Sequence, residues 1–384
     1  MALSAPADAT GTRTGARRLP GPDVVRAVAL IGVVVMNYHG YLVIQQGDGD
    51  TGSGWAAELF DPWTGPLSTR FAATFVLVAG VGVTLMTRGA TAALGALQRV
   101  STSDGSWSDA VDRVRQLRWR LVRRGVLLYT GGLVLDEIWP GTIIPFYGAM
   151  FVLAAAMFTW RTSAIVAVGV AAASAGWAIR LWRFEQRQDG FSTAWLTDPD
   201  EGSVNDFVFG VFVNGTHPLL PWMAFLCAGM VLGRLLTTSW WRPAAIGVGV
   251  VLAGTAAVVS STASTGFESI ALSTDPGQRG LLYVASALGT ALIAYGIIDG
   301  AAERFPLVTD PLRRAGQLSL SLYLLHILVF TAVVDWWGWI EPAGLDVALS
   351  FALAFWIVGI AAAVAWHRTW GMGPAERVYR AFGG

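Results

Sequence analysis

The 384 residues are 54% hydrophobic and 14% charged, with a mean hydropathy of +0.53. Ordinary soluble domains carry roughly 25% charged residues, so a soluble globular protein is all but excluded. All 26 basic residues are Arg and they balance 26 acids. Net charge therefore offers nothing to a nucleic acid, and the single cysteine, Cys227, excludes an intrachain disulfide.

Residues 1–19, rich in Ala, Thr and Gly with Arg13, Arg17 and Arg18, bury too little apolar surface to fold and are expected to form a disordered cytoplasmic tail. Behind them the apolar residues gather into ten runs near the roughly 20 residues that cross a ~30 Å hydrocarbon slab: 24–44, 71–87, 121–135, 143–160, 163–180, 218–236, 243–262, 280–298, 317–334 and 345–366. The fold expected is an all-α polytopic integral membrane protein of about ten transmembrane helices, a single domain over 20–380. Retained Arg marks the cytoplasmic face. With the N-terminus inside, that face collects 21 of the 26 Arg and 9 of the 26 acids, which places both termini in the cytoplasm. Gly80, Gly82, Gly247 and Gly249 are expected at close helix contacts.

The external loops 45–70 and 181–217 combine acids with tryptophans: Asp48, Asp50, Glu58 and Asp61 with Trp55 and Trp63 in the first, Asp189, Asp198, Asp200, Glu201 and Asp206 with Trp195 in the second. Aromatic faces beside carboxylates suit a sugar, which makes Trp55, Trp63 and Asp61 candidate substrate contacts. An interfacial aromatic belt explains the same residues. His326 falls midway along the ninth run, where an ionisable group is costly and points to function. It reads either as part of a substrate path or as a neutral imidazole hydrogen-bonded to a neighbouring helix, with the Ser319 and Ser321 region as one candidate partner.

His39 and Asn37 lie near the external end of the first run, and His217 opens the sixth. A histidine can take a proton from an attacking hydroxyl or amine, and an Asn amide can donate to an oxyanion. Two residues apart, Asn37 and His39 point about 200° away from each other on a helix, so they share a cavity only if the helix frays at Gly40. Asp136 and Glu137 leave the third run together, where one carboxylate could orient a histidine or hold an amine. Asp23 and Arg26 have the spacing of a same-face ion pair. No phosphate-binding Gly-rich loop with Lys, no HExxH helix and no GxSxG elbow occurs, which disfavours ATP-driven pumping and zinc proteolysis.

The stretch Arg18–Gly32, with Asp23-Val24-Val25-Arg26-Ala27-Val28-Ala29-Leu30-Ile31-Gly32 running on to Met36-Asn37-Tyr38, resembles the opening of the transmembrane acyltransferases related to heparan-alpha-glucosaminide N-acetyltransferase. Gly141–Gly148, His217–Trp222 with Gly229 and Gly233-Arg234, and Gly316–His326 are similar to that family or to its uncharacterised bacterial sister family. Gly373–Arg380 is similar to the sister family's ending. The resemblance implies an enzyme that draws an acyl group from cytoplasmic acetyl-CoA or another acyl-CoA, without a metal, and passes it to a hydroxyl or amine of an extracytoplasmic glycan or glycolipid. Asn37 matches the family's Asn at the end of the first span. The family's catalytic histidine belongs in the loop that follows, and loop 45–70 holds none, so His39 takes that role here, with His217 as the other candidate.

In this scheme Arg26, Arg118, Arg120, Arg123 and Arg124 attract the phosphates of acyl-CoA. The partners expected are membrane lipids, acyl-CoA and the sugar acceptor, with no nucleic acid and a homodimer left open as the assembly. The setting is a bacterial cytoplasmic membrane, and all-Arg usage with abundant Ala, Gly and Val suggests an actinobacterial source. The rivals are a transporter or flippase of a lipid-linked or small polar substrate, and a non-catalytic membrane partner.

Overall fold

The computed structural model describes residues 19–47, 49, 51–97 and 106–384. All but Leu19 of the expected tail, together with Asp48 and Asp50, lie outside the described residues. Among the described residues every regular element is a helix. Twelve are named: α1 (Gly21–Gln46), α2 (Arg70–Leu97), α3 (Ser106–Asp136), α4 (Ile144–Met157), α5 (Thr162–Gln188), α6 (Leu219–Leu235), α7 (Trp241–Ser260), α8 (Leu281–Arg304), α9 (Pro306–Gln317), α10 (Ser319–Trp336), α11 (Leu345–Thr369) and α12 (Pro374–Gly383). A chain that buries its backbone in lipid must satisfy each N–H and C=O internally, and a run with no polar side does so as a helix. Each of the ten apolar runs falls on one of these helices.

Seven helices, α1, α2, α5, α7, α8, α10 and α11, are long and apolar enough to cross a membrane. An eighth span results if Val204–Asn214 and α6, bent by 52° from one another, count as one. The remaining two expected spans fall short for different reasons: α4 has 14 residues, and α3 is long but its first half is crowded with Arg. The expected loop 181–217 is largely helical. α5 continues to Gln188, and Ala194–Thr197, Val204–Phe209 and Gly210–Asn214 follow as short helices.

α1 is the hub, packed against α2, α8, α9, α10 and α11. It starts with Pro22 and Asp23 in its first turn, both favoured there, and ends where Gly47 adopts φ 82° and donates its N–H to the Val43 carbonyl. Three helix pairs cross backbone to backbone at glycines. A Cβ on Gly229 of α6 would stand 1.9 Å from the Leu77 carbonyl oxygen of α2, and one on Gly80 2.2 Å from that of Leu226. Gly125 with Gly148 and Gly249 with Gly289 do the same for α3–α4 and α7–α8. The other two glycines expected at contacts are elsewhere: Gly247 faces open space, and Gly82 faces the Arg26 guanidinium.

At the end of the bundle where α1 begins, Asp23 pairs with Arg26 at 3.6 Å and accepts from Gln317 Nε2 at 3.0 Å, as the i, i+3 spacing anticipates. There too Arg242 of α7 clamps Asp299 and Glu303 of α8, at 2.7 Å each.

Candidate functional site

Two cavities enter the bundle from opposite ends. The first, about 330 Å³, lies at the Asp23 end and is lined by Arg26, Leu121, Arg124, Gln317, Glu376 and Tyr379 among others. The second, about 440 Å³, lies at the Gln46 end, where Asn37, Trp63, Thr69, His217 and Arg279 line it. Tyr323 of α10 belongs to both walls. Its hydroxyl is bonded to Thr142 Oγ1 at 2.8 Å, and of the next two residues after Thr142, Ile143 lines the second cavity and Ile144 the first.

His326 sits one turn beyond Tyr323 and is fully buried. Its Nδ1 meets the Tyr323 carbonyl. A carbonyl only accepts, so Nδ1 carries the proton and Nε2 is left as an acceptor. That acceptor faces Asn37 Nδ2 at 3.2 Å. The imidazole is boxed by the rings of Tyr38, Trp139, Tyr323 and Phe355, and Tyr38 donates to the His326 backbone carbonyl at 3.0 Å. The expected bond to the Ser319–Ser321 region does not form. Ser321 Oγ is bonded instead to Glu376, whose carboxylate also accepts the Leu320 and Ser321 amides at 2.7 and 3.1 Å, capping α10 where a helix N-terminus favours an anion.

Asn37 and His39 are not brought together. α1 stays helical past Gly40 to Gln46, so Asn37 turns to the cavity and His39 away from it. His39 is fully buried, lines neither cavity, and meets the Phe60 carbonyl through Nδ1 at 2.8 Å. Its Nε2 has no partner. Gly40, where fraying was expected, leaves room for Pro62, which a Cβ would meet at 3.3 Å. His217 does line the second cavity, its ring edge-on to Trp222 at 4.6 Å and its Nδ1 without a hydrogen-bond partner.

Asp136 orients no histidine. Its carboxylate accepts the Gly141 and Thr142 amides at 2.8 and 3.2 Å, holding the turn that carries Trp139 to the wall of the cavity, while Glu137 is exposed. Of the three sugar candidates, Trp63 lines the cavity, whereas Trp55 is 78% exposed and lies outside it. Asp61 is a loop clamp, accepting the Trp63 and Thr64 amides at 2.8 and 2.7 Å and the Thr51 hydroxyl at 3.1 Å. Burial raises its carboxyl, but these bonds outweigh burial and hold it below its ordinary value.

The expected arginine cluster divides. Arg26 and Arg124 line the first cavity, Arg124 stacked 4.8 Å over the Tyr379 ring and bonded to Met86 Sδ at 3.1 Å. Burial pushes the Tyr379 phenol up to about 12 despite the neighbouring Arg124 and Arg26, so it stays a neutral hydroxyl. Arg118 bonds Thr159 on the outer side of α3 at 3.1 Å, and Arg123 bonds the Gly383 carbonyl at 3.0 Å. Arg120 and Arg123 line a surface depression with Asp112, Arg115 and Trp119. No group of three or more His, Cys, Asp or Glu that could hold a metal occurs among the described residues.

Sequence reasoning passed over Tyr323, Glu376, Tyr379 and Arg279. Tyr323 is three residues before His326, on the same helix face, and that spacing could have found it. Arg279 is one of only five Arg on the acid-rich side, an exception to the charge rule that was itself a signal.

Fold and site together define a multi-pass helical membrane protein with two opposed cavities and an Asn–His pair whose Asn37 lines one of them. Residues 227–383 match the model of a family described as a protein of unknown function (DUF418), and no curated protein matches the chain. The matched stretch includes the Gly316–His326 and Gly373–Arg380 segments, and it supplies Arg279, Gln317, Tyr323, Glu376 and Tyr379 to the two cavities. Arg26, Asn37 and Arg124 come from the part outside it.

Proposed function

We propose that this chain is a membrane acyltransferase. It takes an acyl group, acetyl in the simplest case, from acyl-CoA at the Asp23 end of the bundle. It delivers that group to a hydroxyl or amine of an extracytoplasmic glycan or glycolipid in the cavity at the Gln46 end. In this reading the Asp23 end is cytoplasmic, which the arginine distribution supports, with ten spans, both termini inside, and a bacterial cytoplasmic membrane as the setting. The observation that carries the reading is the pair of cavities meeting at Tyr323: a donor and an acceptor entering from opposite faces would each reach that shared side chain.

The inner cavity, about 330 Å³, is at the small end of ligand sites. It suits the thioester end of acyl-CoA, with Arg26 and Arg124 at its wall and the nucleotide left over the Arg-rich start of α3. In the transfer the acceptor's oxygen or nitrogen bonds the carbonyl carbon, the C–S bond breaks, and CoA leaves as the thiolate. The acceptor's proton goes to a histidine. His217, which lines the acceptor's cavity while His39 lines neither, fits that role better than His39. Asn37, polarised by His326, is placed to donate to the oxyanion.

Membrane vesicles of a host expressing the chain, given radiolabelled acetyl-CoA on the cytoplasmic side, should transfer label to envelope glycans, and H217A should lose the transfer while H39A keeps it. No labelled product above vesicles lacking the chain would reject the reading. Two opposed cavities that share Tyr323 as a wall residue also suit a carrier that passes its substrate unchanged. Label crossing the membrane without covalent capture would favour that alternative.

A further inference from the structure

Arg279 is a half-buried cation that no carboxylate pairs with among the described residues. The ion pairs among the described residues involve Arg26, Arg242, Arg313 and Arg314, and none includes Arg279. Its one protein acceptor is a neutral one, the Gly215 carbonyl, 2.8 Å from Nη1, while a guanidinium has five N–H donors. Burial holds it below its ordinary value, yet an arginine keeps its charge in a protein. Even a partly desolvated charge without a counter-charge carries a cost and is a functional signal near a membrane.

Three further observations converge on the same place. Arg279 lines the 440 Å³ cavity beside Asn37, Trp63 and His217. Its backbone is left-handed, φ 48°, and the only other non-glycine with positive φ among the described residues, Thr69 at 61°, lines the same cavity. Such strain gathers at ligand sites. Next to Thr69, Arg70 is also half-buried without a carboxylate, its guanidinium held by Ser286 and Thr290 hydroxyls at 2.8 and 3.1 Å, which adds to the positive field. Both arginines stand on the acid-rich side of the chain, where only five of the 26 occur.

We propose that the ligand of this cavity carries an oxyanion, a carboxylate or a phosphate, and that Arg279 pairs with it through the donors the protein leaves unspent. A guanidinium fork matches either group in two parallel hydrogen bonds. An anion seated there brings the rest of an acceptor against Trp63, His217 and Asn37, so the charge selects the substrate and positions its hydroxyl or amine. The inference rests on the acyltransferase reading only in calling the ligand an acceptor.

The test uses the full chain in a nonionic detergent, with quenching of the cavity tryptophans Trp63 and Trp139 as the readout. The probes are galacturonate against galactose, glucose 1-phosphate against glucose, and phosphatidylglycerol against phosphatidylcholine added to the micelle. The wild type is expected to bind at least one anionic probe ten-fold or more tighter than its neutral counterpart. R279Q should abolish the preference without lowering the melting temperature, and R279K should retain part of it. A preference for the sugar acid or sugar phosphate makes the anion part of a soluble glycan. One for phosphatidylglycerol alone makes it a lipid headgroup. Equal binding within every pair overturns the proposal, as does a preference that survives in R279Q. So does a fall in melting temperature in both variants, the mark of a structural clamp on Gly215. Acyl transfer to neutral acceptors with no anion preference would leave the enzyme standing and remove this inference; anion binding with no transfer would do the reverse.

Discussion

Asn37→Ala tests the Asn37–His326 pair most sharply. His326 is fully buried, its Nδ1 proton is committed to the Tyr323 carbonyl, and Asn37 Nδ2 at 3.2 Å is the donor facing Nε2. Removing that donor leaves a buried acceptor unpaired, at a cost of about 1–3 kcal/mol. The space left behind adjoins the 440 Å³ cavity, through which a water can reach Nε2, so the low end of the range applies. Stability is readable through Cys227, the chain's one thiol and a buried one, because a thiol-reactive fluorophore labels it only on unfolding. A His326→Leu background removes the acceptor, and there Asn37→Ala should cost almost nothing, the difference giving the coupling energy. On turnover, loss of an oxyanion donor predicts a fall of about 10²–10³-fold in kcat, far more than the change in stability explains. An equal cost in both backgrounds would refute the assigned tautomer and bond. Unchanged turnover would remove Asn37 from the mechanism.

Gly229→Ala drives a Cβ to within 1.9 Å of the Leu77 carbonyl; the α2–α6 crossing must open, and a loss of at least about 1–3 kcal/mol should appear as earlier Cys227 labelling on heating, whereas Gly247→Ala, facing open space, should not lower stability. Glu376→Gln weakens three contacts to the start of α10 and, since bonds to a charged group are worth about 1.5–3 kcal/mol each at most, should cost about 1–2 kcal/mol and raise proteolysis of the C-terminal helix; unchanged protection would mean that α12 is held by packing alone. The Asp61 carboxyl lies below its unfolded value, so the stability it lends is complete above about pH 4 and is lost as pH falls through the lower folded value. Hydrogen exchange in residues 60–64 should therefore rise as pH falls below 4, once corrected for intrinsic rates, and Asp61→Asn should show the raised exchange at neutral pH.

The helices were legible because lipid leaves an apolar run no other conformation, and all ten runs fell on helices. Their extents were not. α5 outruns its apolar stretch to Gln188 because Trp182 and Phe184 pack on Trp195 and Phe267, contacts set by the tertiary fold. In the site, the residue types were legible and their partners were not. Asn37 and His326 are 289 positions apart, so only the packing of α1 on α10 could join them. The opposite error came from adjacency. His39 stood two residues from Asn37, but helix geometry turns them apart and no fraying reunites them. Of Asp136 and Glu137, either of which could have oriented a histidine or held an amine, one proved to be a turn clamp. A carboxylate's role depends on which amides converge on it, and neither composition nor spacing records that.

The proposed loading of acyl-CoA at the Asp23 end, between Arg26 and Arg124, is tested by equilibrium binding of radiolabelled acetyl-CoA to the purified chain in nanodiscs. Saturable binding is expected that free CoA competes away, that weakens as salt is raised, and that falls at least ten-fold in the Arg26→Gln/Arg124→Gln double variant. No saturable binding to the folded wild type, or affinity untouched by the double variant, would contradict it.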